Sequence, residues 1–513
     1  MVLSKTRGWL VLAVPGIAVL LMVAFVGLGS ASAATTHYIA AAGSDAANGT
    51  STSTPWAHLP GMPNCANNCA SYSPVAGDRF ILKGGDTWTA NSLGINWQWS
   101  GTSGARIYVG VDQTYFTGAT WTRPKFDCQH TSCNASQFGN IIWLAGDYTT
   151  IDNIEFTGYQ QSDSGVLVGV YGNHNEVENF YFHGWSRTAG SSGVNSFALS
   201  NNWSGGGAIG TMFHNNVIDG ADDPNKDFMG GVLHGDQVYN NVIRYVYNGM
   251  NGVFNDVHGN LVEHNYIASS GDHCNMIFVQ GVFNGNTLMA YNNVVAHSGC
   301  AGSTLWLMGN STCSSCTTYA YNNVIFDDGS DFDHGITIGG HPDLGQAVGT
   351  YNVYNNTISA ENAPLCIGNG GTGSFTSTTN YGNNHCISGG SICGGVTNCI
   401  NKGGNLAQTL AQANSSGYNS SQTYAYAPTA SDSPTVGHGI NATSFCTGNV
   451  IALCSDTSYA TYDSVNRRVV MRTVLPRPAS GAWDIGAYEF QAGGSPPPSG
   501  PPQPPTNLTG VVN

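Results

Sequence analysis

The chain has 513 residues, only 9% of them charged, and a formal net charge of −15. That balance argues against nucleic acid or an anionic membrane surface as the main partner, and admits an anionic ligand only beside a local basic cluster or a bound cation. Apolar residues make up 41% of the chain and recur in a pattern, which excludes disorder.

In chain order, residues 1–33 carry an export pattern. Lys5 and Arg7 give a basic start, an apolar stretch runs from Trp9 to Leu28, and Ala31-Ser32-Ala33 offers a small-residue cleavage site. The stretch is also long enough for an uncleaved anchor. All 14 cysteines follow it, and taken consecutively they form close pairs: 65/69, 128/133, 274/300, 313/316, 366/386, 393/399 and 446/454. An even number in an exported chain points to disulfides that staple local loops. Cys313-x-x-Cys316 has zinc-like spacing but no second ligand pair nearby.

The middle of the chain repeats a short phrase: an apolar residue, a polar one, two asparagines, two apolar residues. It reads FHNNVI at Phe213–Ile218, VYNNVI at Val238–Ile243, VEHNYI at Val262–Ile267, AYNNVV at Ala290–Val295, AYNNVI at Ala320–Ile325 and VYNNTI at Val353–Ile358. The steps between copies are 25, 24, 28, 30 and 33 residues, with looser copies at Ile151–Phe156 and Val177–Phe182. Such a period signals a solenoid in place of the two or three domains that length alone suggests. Apolar positions alternate as strands require. The asparagines mark a corner, since Asn tolerates the left-handed backbone region and stacked amides can form a ladder. A further strand precedes each copy, for example Val253-Phe254-Asn255, Ile277-Phe278-Val279 and Leu305-Trp306-Leu307. Three short strands per coil without helical periodicity predict an all-β parallel β-helix.

Here the chain resembles the right-handed, pectate-lyase-like parallel β-helix proteins, whose asparagine ladder occupies this corner. The opening HYIAAAGSDAANGTSTSTPWAHL at His37–Leu59, with GDRFILKGGDTW at Gly77–Trp88, is similar to exported bacterial members. SDSPTVGHG at Ser431–Gly439 and WDIGAYEF at Trp483–Phe490 resemble the C-terminal motif of choice-of-anchor Q proteins. The expected organisation is a signal peptide at 1–33, an N-terminal cap and first coils at 34–140, and repeats at 141–400. A C-terminal β region at 401–490 and a proline-rich tail at 491–513 complete it. The superfamily holds lyases, hydrolases, epimerases and binding proteins, so the resemblance implies fold more sharply than activity.

In such proteins the loop after the third strand and the outer face of the first strand border the substrate cleft. His183, Asp219 and Arg244 fall just past the last apolar residue on three successive coils, where stacking at ~4.8 Å lets them converge. A uronate lyase must neutralise a carboxylate and abstract the adjacent proton, with Ca²⁺ or Arg/Lys for the first task and a base for the second. The expected catalytic set is Lys226, Arg244, His273 and His183. Asp222, Asp223 and Asp227 stand ready for Ca²⁺, and Arg187 is assigned to substrate. Phe254, Phe278 and Trp306, read as pointing outward, would stack on sugar faces; the alternative is that they are core. The leading expectation is a secreted or cell-surface monomer that acts on polysaccharide, an acidic-glycan lyase. Its rivals are a non-catalytic glycan-binding or structural protein and a glycoside hydrolase or epimerase. A hydrolase would need two carboxylates at defined separation, which sequence does not report.

Overall fold

The computed structural model describes residues 33–491 except 135–138, 162–164, 189–195, 202–206, 224–228, 266–274, 283–285, 300–303, 309–314, 327–334, 340–348, 361–364, 370–376 and 396–397. From Thr36 to Gln408 the chain winds as a parallel β-helix with three strands per coil. One coil shows the plan. Ile277–Gly281 lies in the first sheet, Thr287–Tyr291 in the second and Val294–Ser298 in the third. Each pairs in parallel with its equivalent one coil on, as in Phe278↔Trp306, Ala290↔Ala320 and Val295↔Ile325. Successive parallel crossovers take the right-handed path that strand twist favours. In Met229–Tyr239 and Met250–His258 the strand continues from the first sheet into the second.

The core is one stack of inward rows. Ile277 and Leu305 come from the first sheet, Val257 and Ala290 from the second, and Val262 and Val295 from the third, all 0% exposed. The second asparagine of each corner points inward and builds the ladder. Nδ2 of Asn216, Asn241, Asn260, Asn293, Asn323, Asn356 and Asn384 donates to Oδ1 of the next member, ending at Asn405, at 2.9–3.2 Å. The same Oδ1 atoms accept the backbone N–H of the residue one coil before, for example Asn260 N to Asn293 Oδ1. Upstream, Ile154 and Phe180 fill the ladder slot with apolar side chains, both 0% exposed.

The ladder corrects one copy of the repeat. The corner between Asn241 and Asn293 is not VEHNYI but VHGNLV at Val257–Val262, with Asn260 as the ladder residue. The true steps are 25, 19, 33, 30, 33, 28 and 21 residues. Val262 therefore belongs to the third sheet, between Ile243 and Val295. Gly259, at φ +65°, replaces the first asparagine because a Cβ there would stand 2.2 Å from Asn240 Oδ1. His264 misled the reading because it too sits in the left-handed region, at φ 57°, beside the buried Asn265.

The shift moves Phe254. Met250-Asn251-Gly252 pairs with Ile277-Phe278-Val279, so Phe254 lies beyond the first sheet, opposite Gly235. Its ring is 0% exposed in the core, and the outward assignment fails. Phe278 and Trp306 do share the outward row with Leu233, Asn251 and Thr337.

After Gln408 the chain turns back over the helix. Val294, Val324 and Ile387 on the outer face of the third sheet are buried under Tyr418, Tyr426, Tyr459 and Tyr488. Further upstream the hairpin Ala460–Asp463/Arg468–Met471 packs on Tyr181, Val217 and Val242. The two C-terminal motifs meet in this cover: Ile485 N donates to Thr435 O at 2.9 Å and Gly439 N to Trp483 O at 2.8 Å. Disulfides join 65–69, 128–133, 366–386, 393–399 and 446–454. Cys274, Cys300 and Cys313 lie outside the described residues. Cys316 is disulfide-bonded, which removes it from a zinc site. Among the described residues no helix is long and apolar enough to cross a membrane.

Candidate functional site

The third sheet carries the expected column. Phe182, Ile218 and Ile243 pair in register, and Asp219 stands opposite Arg244, so His183, Asp219 and Arg244 follow one another on successive coils. They do not form one open site. Arg244 Nε lies 3.5 Å from Asp219 Oδ1 and Nη1 lies 3.4 Å from Glu263 Oε1. Its guanidinium also rests over the rings of Tyr245 and Tyr462, the latter from the covering hairpin. Burial works against its charge, yet Glu263 and Asp219 more than offset this and raise its pKa. Arg244 is thus a neutralised joint between the coils and their cover.

His183 faces the other way. Its Nδ1 lies 2.8 Å from Asp222 Oδ2 and its Nε2 3.2 Å from Glu155 Oε1, and its ring stacks on Tyr181 at 4.2 Å. Burial opposes protonation, but hydrogen bonds to the two carboxylates outweigh it and raise the pKa. Glu155 also holds Lys125 at 2.8 Å. Burial pushes its carboxyl up, and His183 and Lys125 together bring it down to about 2. With both ring nitrogens held against carboxylates, His183 joins Asp222 on one coil to Glu155 on another.

Beside this relay, where the chain leaves the third sheet, lies a pocket of about 510 Å³ lined by Asp127, His130, Gln160, Arg187, Asp222 and neighbouring backbone. Sequence explains why it is open. Gly158 (φ +71°) and Gly184 (φ +64°) turn two neighbouring coils in parallel, and a Cβ on Gly184 would stand 2.3 Å from Thr157 Oγ1. The short strand Ser186–Arg187 then pairs with Gln160 and Gln161 and carries Arg187 to the wall.

The predicted residues therefore divide. His183, Arg187 and Asp222 come together at this pocket. Lys226, Asp227 and His273 lie outside the described residues. Phe278 and Trp306 touch each other, ring centroids 4.7 Å apart, on the first sheet several coils downstream. Both oxygens of Asp222 already accept hydrogen bonds, from His183 and from Gly184 N, and Asp223 is 3% exposed. Asp227, the third member of the expected Ca²⁺ set, lies outside the described residues. Among the described residues the group able to hold a metal ion is instead Glu176, Glu178 and His214, on the second sheet.

Lys125, Glu155, His130 and Asp127 were missed. The signal was present: Lys125-Phe-Asp, Glu155-Phe-Thr and Tyr181-Phe-His align as one repeat, and the register pairs Lys125↔Glu155↔Tyr181. Carrying the loose copies one coil further upstream would have found it.

Strand register and ladder define a right-handed parallel β-helix protein with a charged corner pocket. No family model and no curated protein matches the chain. Among solved structures, a crystal structure of pectate lyase Pel9A is similar over 90% of this chain and 98% of its own, with 19% identity and a TM-score of 0.49. A rhamnogalacturonan lyase is similar over 63% and 82%, with 14% identity and a TM-score of 0.36. A PL6 family polysaccharide lyase from Pseudopedobacter saltans is similar over 70% and 95%, with 12% identity and a TM-score of 0.35. These likenesses concern the path of the backbone.

Proposed function

We propose that this protein is an exported enzyme that cleaves an acidic, uronate-containing polysaccharide by β-elimination in the corner pocket. The observation that carries the reading is Arg187 in the wall of an open 510 Å³ pocket backed by the Asp222–His183–Glu155 relay. Elimination next to a uronate carboxylate requires that carboxylate to be neutralised, and the guanidinium charge of Arg187 is assigned that task. His130, exposed on the same lining, is assigned the base. It takes the proton beside the carboxylate, the electron pair forms the new C=C bond, and the glycosidic oxygen leaves and is protonated from solvent. Lys125, paired with Glu155, holds the His183 relay from behind, and Asp222 both anchors His183 and lines the pocket. The export signal, a monomeric state and membership of the choice-of-anchor Q group belong to the same proposal, the last resting on SDSPTVGHG and WDIGAYEF.

The test is the purified full chain on pectate, alginate and glycosaminoglycan panels. A lyase releases unsaturated products that absorb in the ultraviolet, and Arg187→Ala lowers kcat/KM by roughly 100-fold, the loss of a charged hydrogen-bonded pair of about 3 kcal/mol. New reducing ends without that absorbance would replace elimination by hydrolysis. Glycan binding without turnover would leave a binding protein.

A further inference from the structure

The outer face of the second sheet carries a second polar constellation, which the corner pocket does not use. Three coils put Asp152, Glu178 and His214 in one column, with Glu176 two residues before Glu178 on the same face. His214 is 6% exposed. Its Nε2 lies 2.8 Å from Glu176 Oε1. Its Nδ1 has no hydrogen-bond partner and lies 3.8 Å from Glu178 Oε2, too far for one. A buried imidazole nitrogen with nothing to bond is costly, and here it is aimed at a carboxylate that cannot supply a proton at that distance.

We propose that Glu176, Glu178 and His214 form a binding site for a first-row divalent transition ion such as Zn²⁺, independent of the corner pocket. One ligand atom from each residue lies within 4.8 Å of the others, so a small rotation brings Glu178 beside His214 Nδ1 at a common centre while Glu176 holds the ring from its far nitrogen. Nδ1 supplies the lone pair and Glu178 the adjoining oxygen. Glu176 takes the Nε2 proton, the arrangement by which a carboxylate fixes the tautomer of a ligating histidine. Thr150 Oγ1 donates to Glu176 Oε2 at 2.9 Å, and Arg106 lies 3.6 Å from the same oxygen. The carboxylate is thereby oriented with Oε1 towards the ring. Tyr239 stacks on His214 at 4.6 Å with planes 5° apart and holds the ring in place. Asp152 stands in the same column one coil before Glu178, so a cation between Glu178 and His214 relieves the repulsion among the neighbouring carboxylates. A nitrogen donor beside a carboxylate oxygen suits Zn²⁺, Co²⁺ or Mn²⁺ better than Ca²⁺, which prefers oxygen alone. Glu176 and Glu178 are each about one-fifth exposed, so an ion can reach the site from solvent.

The experiment uses the full chain, stripped with a chelator and titrated with Zn²⁺ alone by calorimetry, and with Co²⁺ read by its visible absorption. One equivalent binds, the melting temperature rises, and the Co²⁺ spectrum shows a nitrogen–oxygen environment. Glu178→Gln weakens Zn²⁺ affinity at least tenfold while its melting temperature in chelator stays within a few degrees of wild type, and His214→Gln does the same. Equal uptake by wild type and Glu178→Gln overturns the site. An equal rise in melting temperature with Ca²⁺ overturns the choice of metal.

Discussion

The doubled asparagine performs two different tasks with one residue type. The first of each pair sits in the left-handed region, as at Asn215 (φ 56°) and Asn355 (φ 52°). Its side chain faces outward. Asn322 Nδ2 donates to Ser455 O and Asn383 Nδ2 to Ile440 O, so this outer row grips the returning C-terminal segment. The second points inward and carries the ladder. Substitutions should separate the roles. Asn293→Ala removes the acceptor of Asn260 N and Nδ2 and the donor to Val257 O and Asn323 Oδ1. With buried groups left unpaired, it should cost roughly 2–4 kcal/mol of unfolding free energy in a denaturant titration. Asn215→Ala should cost only about 1 kcal/mol, the strain of a left-handed alanine, and Asn215→Gly close to nothing. The repeat made both positions legible in the sequence. It did not show that Gly259-Asn260 was a copy, because glycine can replace the outer residue at a corner too tight for a side chain.

At the scale of elements, the C-terminal cover decides which face of the helix remains open. Arg477 is 5% exposed, pairs with Glu489 and donates to Asn322 Oδ1 at 3.1 Å, so it joins the WDIGAYEF segment to the coils. Arg477→Ala strands Glu489 and should cost roughly 3–5 kcal/mol. The loss should appear first as hydrogen exchange and protease cleavage in the cover, while the ladder strands stay protected. The cover also explains why the column of His183, Asp219 and Arg244, read correctly from the period, is not a single cleft. Tyr462 closes over Arg244, and only the His183 end opens on the pocket. The relay has a pH signature. The raised pKa of His183 contributes stability in full below its ordinary value of 6.5 and loses it as pH rises through the folded value. The depressed pKa of Glu155 contributes in full above 4.5 and loses it as pH falls towards about 2. Both act together between about pH 4.5 and 6.5. His183→Gln should therefore flatten the fall in melting temperature above pH 6.5, and an unchanged slope would remove the relay from the account.

At the scale of the whole molecule, stability is a sum over stacked coils, with disulfides as local staples. Cys366–Cys386 closes a 20-residue separation and joins a first-sheet strand to a third-sheet strand across the core. Its double alanine variant should cost about 3 kcal/mol, against about 2 for Cys128–Cys133 with a separation of 5, read from denaturation midpoints. The sequence by itself determined the solenoid, the asparagine corners and the rows that face inward, since a strand's alternation and a repeated corner are local properties that recur whatever surrounds them. It also placed His183, Asp219 and Arg244 on successive coils, with the loop that carries Asp222 beside them. Only the tertiary structure decided that Phe254 is core, that Arg244 is spent on Asp219 and Glu263, and that Glu176, Glu178 and His214 converge. Each of those depends on the register between coils of unequal length, or on a segment returning from more than 200 residues away. Neither leaves a mark in the local pattern of residues.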